Sequence, residues 1–329
     1  MTTPDQPVQP AAEERLLRER LQRAGYLADE DLATTVWLAS ALQRPLLLEG
    51  DAGVGKTALA TALAQSQGAT QVRLQCFEGL DLAQAAYEWN YGRQLMAIRM
   101  SEAAQNSGSH NSGSHNGAAP VRESDVFSRD YLLERPLLHA ISQSGPCVLL
   151  IDEIDRADEA FEAFLLEVLA EYQITVPEIG TIRATHIPQV ILTSNGTREL
   201  SDALRRRCLY HYLDYPTLAR EIAIVKSALP QVDTRLVEDA VQFVQRLRRE
   251  DLAKIPGIAE TLDWVKALFQ MRHTHLPEDM SAVLGTLGCL LKTREDRFVM
   301  GPDRLRQLVE GRRTVGVAEN STEQAKAAA

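Results

Sequence analysis

Short apolar runs alternate along this chain with longer stretches of helical periodicity. The runs are Leu46-Leu47-Leu48, Val72-Arg73-Leu74, Cys147-Val148-Leu149-Leu150-Ile151, Val190-Ile191-Leu192 and Leu209-Tyr210-His211-Tyr212-Leu213. Strands separated by helices predict a parallel sheet wrapped on both faces. After Pro216 no further strand is legible, and residues 219–229, 234–249, 259–272 and 280–291 read as helices. A second, smaller, all-helical domain is therefore expected. At the other end, residues 1–12 are polar and carry Pro4, Pro7 and Pro10, the composition of a disordered tail, whereas Glu13 to Arg23 turns helical with Leu16, Leu17 and Leu21 on one side.

Two stretches interrupt the alternation. Asn106-Ser107-Gly108-Ser109-His110 is repeated at once as Asn111-Ser112-Gly113-Ser114-His115, a Gly/Ser-rich segment expected to be flexible. His110 and His115 could be metal ligands, but histidines in such a linker read more simply as solvated. Gln173 to Ile182 alternates β-branched residues around Pro177-Glu178 and Gly180, which predicts a hairpin inserted after a helix. The expected organisation is an α/β domain over 13–215, with a flexible insert at about 103–120 and the hairpin at about 172–184. A helical lid over 216–312 and a polar tail over 313–329 follow.

Composition narrows the class. With 329 residues, 45% of them hydrophobic, the chain can bury two cores. A net charge of −10 argues against a protein that grips nucleic-acid phosphates. No apolar run approaches a membrane span and the first ten residues lack a secretory pattern, so a cytoplasmic protein is expected. Cys76, Cys147, Cys208 and Cys289 are widely separated, which fits buried reduced thiols.

The candidate chemistry begins at Gly50-Asp51-Ala52-Gly53-Val54-Gly55-Lys56-Thr57, which fits GxxxxGK[ST] between an apolar run and the helix-like 57–64. Glycines there let backbone N–H groups turn inward around anionic oxygens, and the helix start, including Ala58, adds partial positive charge. Lys56 would reach the β- and γ-phosphates of ATP or ADP, and the Thr57 hydroxyl would ligate Mg²⁺. Hydrolysis needs acids as well. Val148 to Ile151 delivers Asp152 and Glu153 to a strand's C-terminal end, where Asp152 would hold the Mg²⁺ shell and Glu153 would act as general base. Asp155 and Asp158 read as caps of the following helix. Asn195, after the next strand, would orient the attacking water or contact the γ-phosphate. Arg205, Arg206 and Arg207 are three adjacent like charges that call for something anionic, such as a phosphate reached by an arginine finger.

In this order the phosphate loop, Asp152-Glu153, Asn195 and Arg207, followed by a helical lid, resemble an AAA+ ATPase. The hairpin at Gln173–Ile182 resembles the insert of the MoxR group. More narrowly, Gln75–Asp81, Tyr87-Glu88-Trp89-Asn90-Tyr91, Phe161–Glu167, Thr193-Ser194-Asn195 and Arg206–His211 resemble the CoxD branch, associated with maturation of the carbon monoxide dehydrogenase metal centre. The resemblance implies a homo-oligomeric ring, commonly hexameric, in which Arg207 of a neighbour completes each site, with Arg206 as the alternative. It also implies a von Willebrand factor A domain partner and a client metalloenzyme. Relatives often carry a lid arginine at the γ-phosphate. This chain reads Pro256 to Trp264 without one, and leaves Lys266 as the candidate. Tyr87, Trp89 and Tyr91 alternate as in a strand, either packing or facing a client. A nucleotide-gated scaffold and a DNA-remodelling motor are the competing functional readings.

Overall fold

The computed structural model describes residues 10–108, 126–276 and 280–310. Its elements run α1 (Pro10–Arg23), α2 (Glu30–Ala41), β1 (Leu46–Glu49), α3 (Lys56–Gln67), β2 (Thr70–Gln75), α4 (Leu82–Ala85), β3 (Tyr87–Trp89), α5 (Tyr91–Gly108), β4 (Leu132–Glu134), α6 (Pro136–Ile141) and β5 (Cys147–Asp152). They continue as α7 (Glu159–Glu171), β6 (Gln173–Val176), β7 (Gly180–Arg183), β8 (Gln189–Ser194), α8 (Asp202–Arg207), β9 (Leu209–Tyr212), α9 (Leu218–Ala228), α10 (Thr234–Leu247), α11 (Ile258–Gln270), α12 (Met280–Thr286), α13 (Arg294–Val299) and α14 (Pro302–Glu310). Contacts divide them into two compact units. Of the described residues, those up to Asp51 and from Lys56 to Leu213 form the first, and Ala52–Gly55 with those from Asp214 onward form the second.

The first unit is built on a five-stranded sheet in the order β2-β5-β8-β1-β9, parallel throughout. β5 is buried along its whole length, as expected of a strand covered on both faces. Parallel pairing brings the C-terminal ends of β1, β5 and β8 to one edge of the sheet, where Glu49, Asp152 and Ser194 end their strands. β6 and β7 pair antiparallel as the expected hairpin, with Ile174 opposite Ile182. A second small ladder, β3 with β4, sets Trp89 opposite Leu132, and Trp89 meets Phe127 edge-on at 5.3 Å.

The second unit is helical in its described residues. α10 places Leu236, Val237, Ala240, Val241 and Val244 on one buried stripe at helical spacing. Phe243 and Trp264 pack at 5.0 Å between ring centroids, and the Trp264 indole N–H reaches the Thr286 hydroxyl at 2.9 Å. Glu221 and Arg248 form an ion pair at 2.6 Å with side chains 0% and 6% exposed. Arg248 also donates to the Pro256 carbonyl, and its guanidinium lies over the Tyr215 ring. Pro256 leads into Gly257, whose partner is a second glycine. The Ile258 N–H donates to the Gly53 carbonyl at 2.9 Å, and a Cβ on Gly257 would stand 2.6 Å from Gly53 Cα.

Several expectations need correction. Helix α1 begins at Pro10, inside the stretch read as tail, because proline at a helix start loses no hydrogen bond. Tyr91 is not in a strand: β3 ends at Trp89, and Asn90 turns the chain into α5 by accepting from the Arg93 N–H at 3.1 Å. α5 continues to Gly108 and so into the segment read as a flexible insert, whose remainder, with His110 and His115, lies outside the described residues. The helix read over 280–291 ends at Thr286 in a short 3₁₀ turn, and two further helices, α13 and α14, follow. Cys289 is only half-buried, whereas Cys76, Cys147 and Cys208 are buried, and all four are free thiols. Residues 1–9 and 311–329, which include the expected polar tail, lie outside the described residues.

Candidate active site

The site is assembled at the shared strand edge. After β1 the chain enters the loop at Gly50, whose φ of +155° and closeness to the Leu213 carbonyl, 2.3 Å from where a Cβ would be, require glycine. Gly53 and Gly55 also have positive φ. Lys56 opens α3 and is 7% exposed; its ammonium donates to the Gly50 carbonyl at 2.6 Å and the Asp51 carbonyl at 2.7 Å. Burial pushes the Lys56 pKa below its usual range, and Asp155, Asp51, Asp152 and Glu153 pull it back up.

Across the edge, β5 presents Asp152, which is 3% exposed. The Thr57 hydroxyl donates to Asp152 Oδ1 at 3.2 Å, and the Thr193 hydroxyl donates to the same oxygen at 2.5 Å. Thr193 is thus a site residue that the sequence left among the polar residues ending its strand. Its hydroxyl also accepts the Glu153 N–H at 2.9 Å. Glu153 itself is left-handed, with φ 55° and ψ 50°, a backbone conformation found mostly where structure forces it. Its carboxylate is partly exposed and lies 3.8 Å from Arg156.

Asp155 does not cap the helix; Asp158 does, accepting the Phe161 N–H at 2.8 Å. Asp155 instead turns its buried carboxylate to the β8 loop. Its Oδ2 accepts the Asn195 N–H at 3.3 Å, the Thr197 N–H at 3.0 Å and the Thr197 hydroxyl at 2.6 Å. Its Oδ1 is buried without a hydrogen-bond partner among the described residues. The same loop is tied further along by buried Glu162, which pairs with Arg198 and accepts the Ser201 N–H at 2.9 Å. Asn195, Asp155 and Glu78 line a cavity of about 650 Å³ beside it.

The three arginines of α8 have different surroundings. Arg205 pairs with Glu49 at 3.0 Å, and Arg207 donates to the Leu166 carbonyl at 2.8 Å. The Arg206 side chain is exposed, with no hydrogen bond or ion pair among the described residues. Arg44 grips the end of this helix through the Arg206 carbonyl at 2.6 Å and the Arg207 carbonyl at 3.2 Å. Lys266 pairs with Asp263 on its own helix at 3.6 Å.

One hydroxyl and one carboxylate, Thr57 and Asp152, are hard oxygen donors of the kind that hold Mg²⁺ when phosphate and water complete its shell. The partnerless buried oxygen of Asp155 adds negative potential nearby. Among the described residues no cluster of three or more His, Cys, Asp or Glu side chains could hold a metal by itself. The donors therefore suit a metal that arrives with nucleotide. Cys76 does not join this chemistry: burial, then Asp152, Asp155 and Glu153, push its thiol up to about 12.

Residues 46–213 match the family described as ATPase family associated with various cellular activities (AAA). The chain belongs to the AAA ATPase family. Its five-stranded parallel sheet and the Gly50–Thr57 loop lie within the matched residues. Gas vesicle ATPase GvpN of Haloferax mediterranei and gas vesicle ATPase GvpN1 of Halobacterium salinarum are each 28% identical over 214 residues, which cover 62% of this chain and 56% of theirs. The chain thus matches little more than half the length of these relatives. The Holliday junction branch migration motor RuvB of Thermotoga maritima is similar at 19% identity and a TM-score of 0.41, over 82% of this chain and 68% of that one. Among the described residues no helix is long and apolar enough to cross a membrane.

Proposed function

We propose that the chain is a cytoplasmic MoxR-type AAA+ ATPase, nearest the CoxD branch, that works as a ring and uses ATP hydrolysis to remodel or mature a client metalloenzyme. The client would be a carbon monoxide dehydrogenase-like molybdenum hydroxylase, and a von Willebrand factor A domain protein would assist. The observation that carries the hydrolytic part is the convergence of Thr57, Asp152 and the left-handed Glu153 through the Thr193 hydroxyl. The client part rests on the resemblance of the Tyr87–Tyr91 block and the Gln173–Ile182 hairpin.

In this reading Lys56 leaves the Gly50 and Asp51 carbonyls for the β- and γ-phosphates, while the loop N–H groups bind the remaining phosphate oxygens. Thr57 and Asp152 would hold Mg²⁺, which supplies charge neutralisation on the phosphates. Glu153 takes the proton of the attacking water, and Asn195, fixed by Asp155, orients that water. Negative charge spreading over the γ-phosphoryl oxygens is met by an arginine from the neighbouring subunit. Arg207 is the assigned finger. Arg206, whose guanidinium has no partner among the described residues, is the alternative.

A nucleotide-gated scaffold is a second reading, favoured by the bond that ties Arg207 to its own Leu166 carbonyl. Separate Arg206→Ala and Arg207→Ala variants decide between them. A finger contributes about 10³- to 10⁵-fold in rate, so one variant should retain ATP while losing nearly all turnover. Unchanged turnover in both, together with client maturation by ATP binding alone, would favour the scaffold. A client that matures equally well without this chain would remove the metalloenzyme assignment.

A further inference from the structure

Asp152 has a contact that the chemistry above does not use. Arg73 on β2 donates from Nη2 to Asp152 Oδ2 at 2.5 Å, and from the same nitrogen to Gln75 Oε1 at 2.6 Å. Gln75 stands opposite Asp152 in the parallel register, so both residues that touch the guanidinium lie at the same end of paired strands. The ion pair is lopsided, because the Asp152 side chain is 5% exposed and that of Arg73 is 53% exposed. A buried carboxylate depends strongly on such a charge-assisted bond, whereas a half-exposed guanidinium can return to water at little cost. The other carboxylate oxygen already accepts the Thr193 and Thr57 hydroxyls.

We propose that Arg73 is a tethered cation that shares Asp152 with Mg²⁺ and thereby sets the magnesium concentration at which nucleotide is held. The proposal rests on the reading of Thr57 and Asp152 as the metal-holding pair. Two cations drawn to one carboxylate repel each other, so Arg73 must swing aside or weaken the metal's hold. The same bond keeps Asp152 in one orientation before nucleotide arrives. Arg73 is thus a positioning residue that acts through Asp152, with Gln75 guiding its swing.

The test separates binding from turnover. Retention of a non-hydrolysable fluorescent ATP analogue by the full chain is titrated with MgCl₂, and thermal stability is measured without nucleotide. Arg73→Gln should lower the half-saturating Mg²⁺ concentration about tenfold, and should lower the nucleotide-free melting temperature because buried Asp152 loses its partner. Arg73→Lys, which keeps the charge without the planar fork, should fall between that variant and the wild type, and it carries the test if Arg73→Gln does not fold. Half-saturation that is unchanged or raised in the soluble variants overturns the proposal while leaving the ATPase site intact. Failure of the wild type to retain nucleotide at any Mg²⁺ concentration would instead overturn the site reading itself.

Discussion

Replacing Glu153 tests whether the candidate catalytic edge stores backbone strain. At φ 55° and ψ 50° this residue occupies a region that costs a side chain bearing a Cβ about 1–2 kcal/mol. Glu153→Ala removes the carboxylate and keeps the Cβ, whereas Glu153→Gly removes both. The Arg156 contact at 3.8 Å is lost equally, and the N–H bond to Thr193 is kept in each. The two variants therefore differ in backbone strain and in the freedom of the unfolded chain. Glycine's extra unfolded freedom costs about 0.5–1 kcal/mol, which leaves the Gly variant ahead by roughly 0.5–1 kcal/mol. For a unit of this size that is a rise of about 1–4 °C in melting temperature. Urea denaturation and thermal melts of the nucleotide-free proteins measure it. Away from left-handed positions the Ala variant would be the more stable, so the order is diagnostic. A Gly variant equal to or below the Ala variant refutes the strain argument. Neither should hydrolyse ATP.

Glu153→Gln keeps the shape and hydrogen-bonding reach of the side chain but cannot take a proton; it should hold ATP tightly and release phosphate slowly, and rapid phosphate release would show that another base acts. In the helical unit, Arg248→Met leaves the carboxylate of Glu221 buried and unpaired and should cost about 3–5 kcal/mol, most of it regained when Glu221→Gln is added. Denaturant titrations of the single and double variants check this, and strictly additive losses would contradict it. Burial, as the first cause, holds the Cys76 and Cys208 thiols at about 12 and that of Cys147 at about 11. At pH 8 these three carry little thiolate, so alkylation followed by mass spectrometry should label half-buried Cys289 first.

The phosphate-loop segment, the Asp152-Glu153 pair and the individual strands are legible because each is written in consecutive residues: an apolar run followed at once by its polar residues. Asp155 reads as a cap for the same reason. Next to a helix start an acid resembles a cap, and only the β8 loop arriving beside it reveals the Asn195 and Thr197 donors. Thr193 and Arg73 were invisible as partners of Asp152 because strand order decides who stands beside whom, and a single sequence does not carry that order. Tyr91 reads as part of a strand because three aromatics at every second position mimic β periodicity. The signal that could have corrected it is Asn90, a good helix N-cap with a long run of helix formers behind it.

Helix α8 is fastened twice through its last turn: Arg44 holds the Arg206 and Arg207 carbonyls, and Arg205 holds Glu49, the residue just before Gly50. In the ring proposed above, a subunit that lends Arg206 or Arg207 to the seat next door would therefore tug on the root of its own glycine turn.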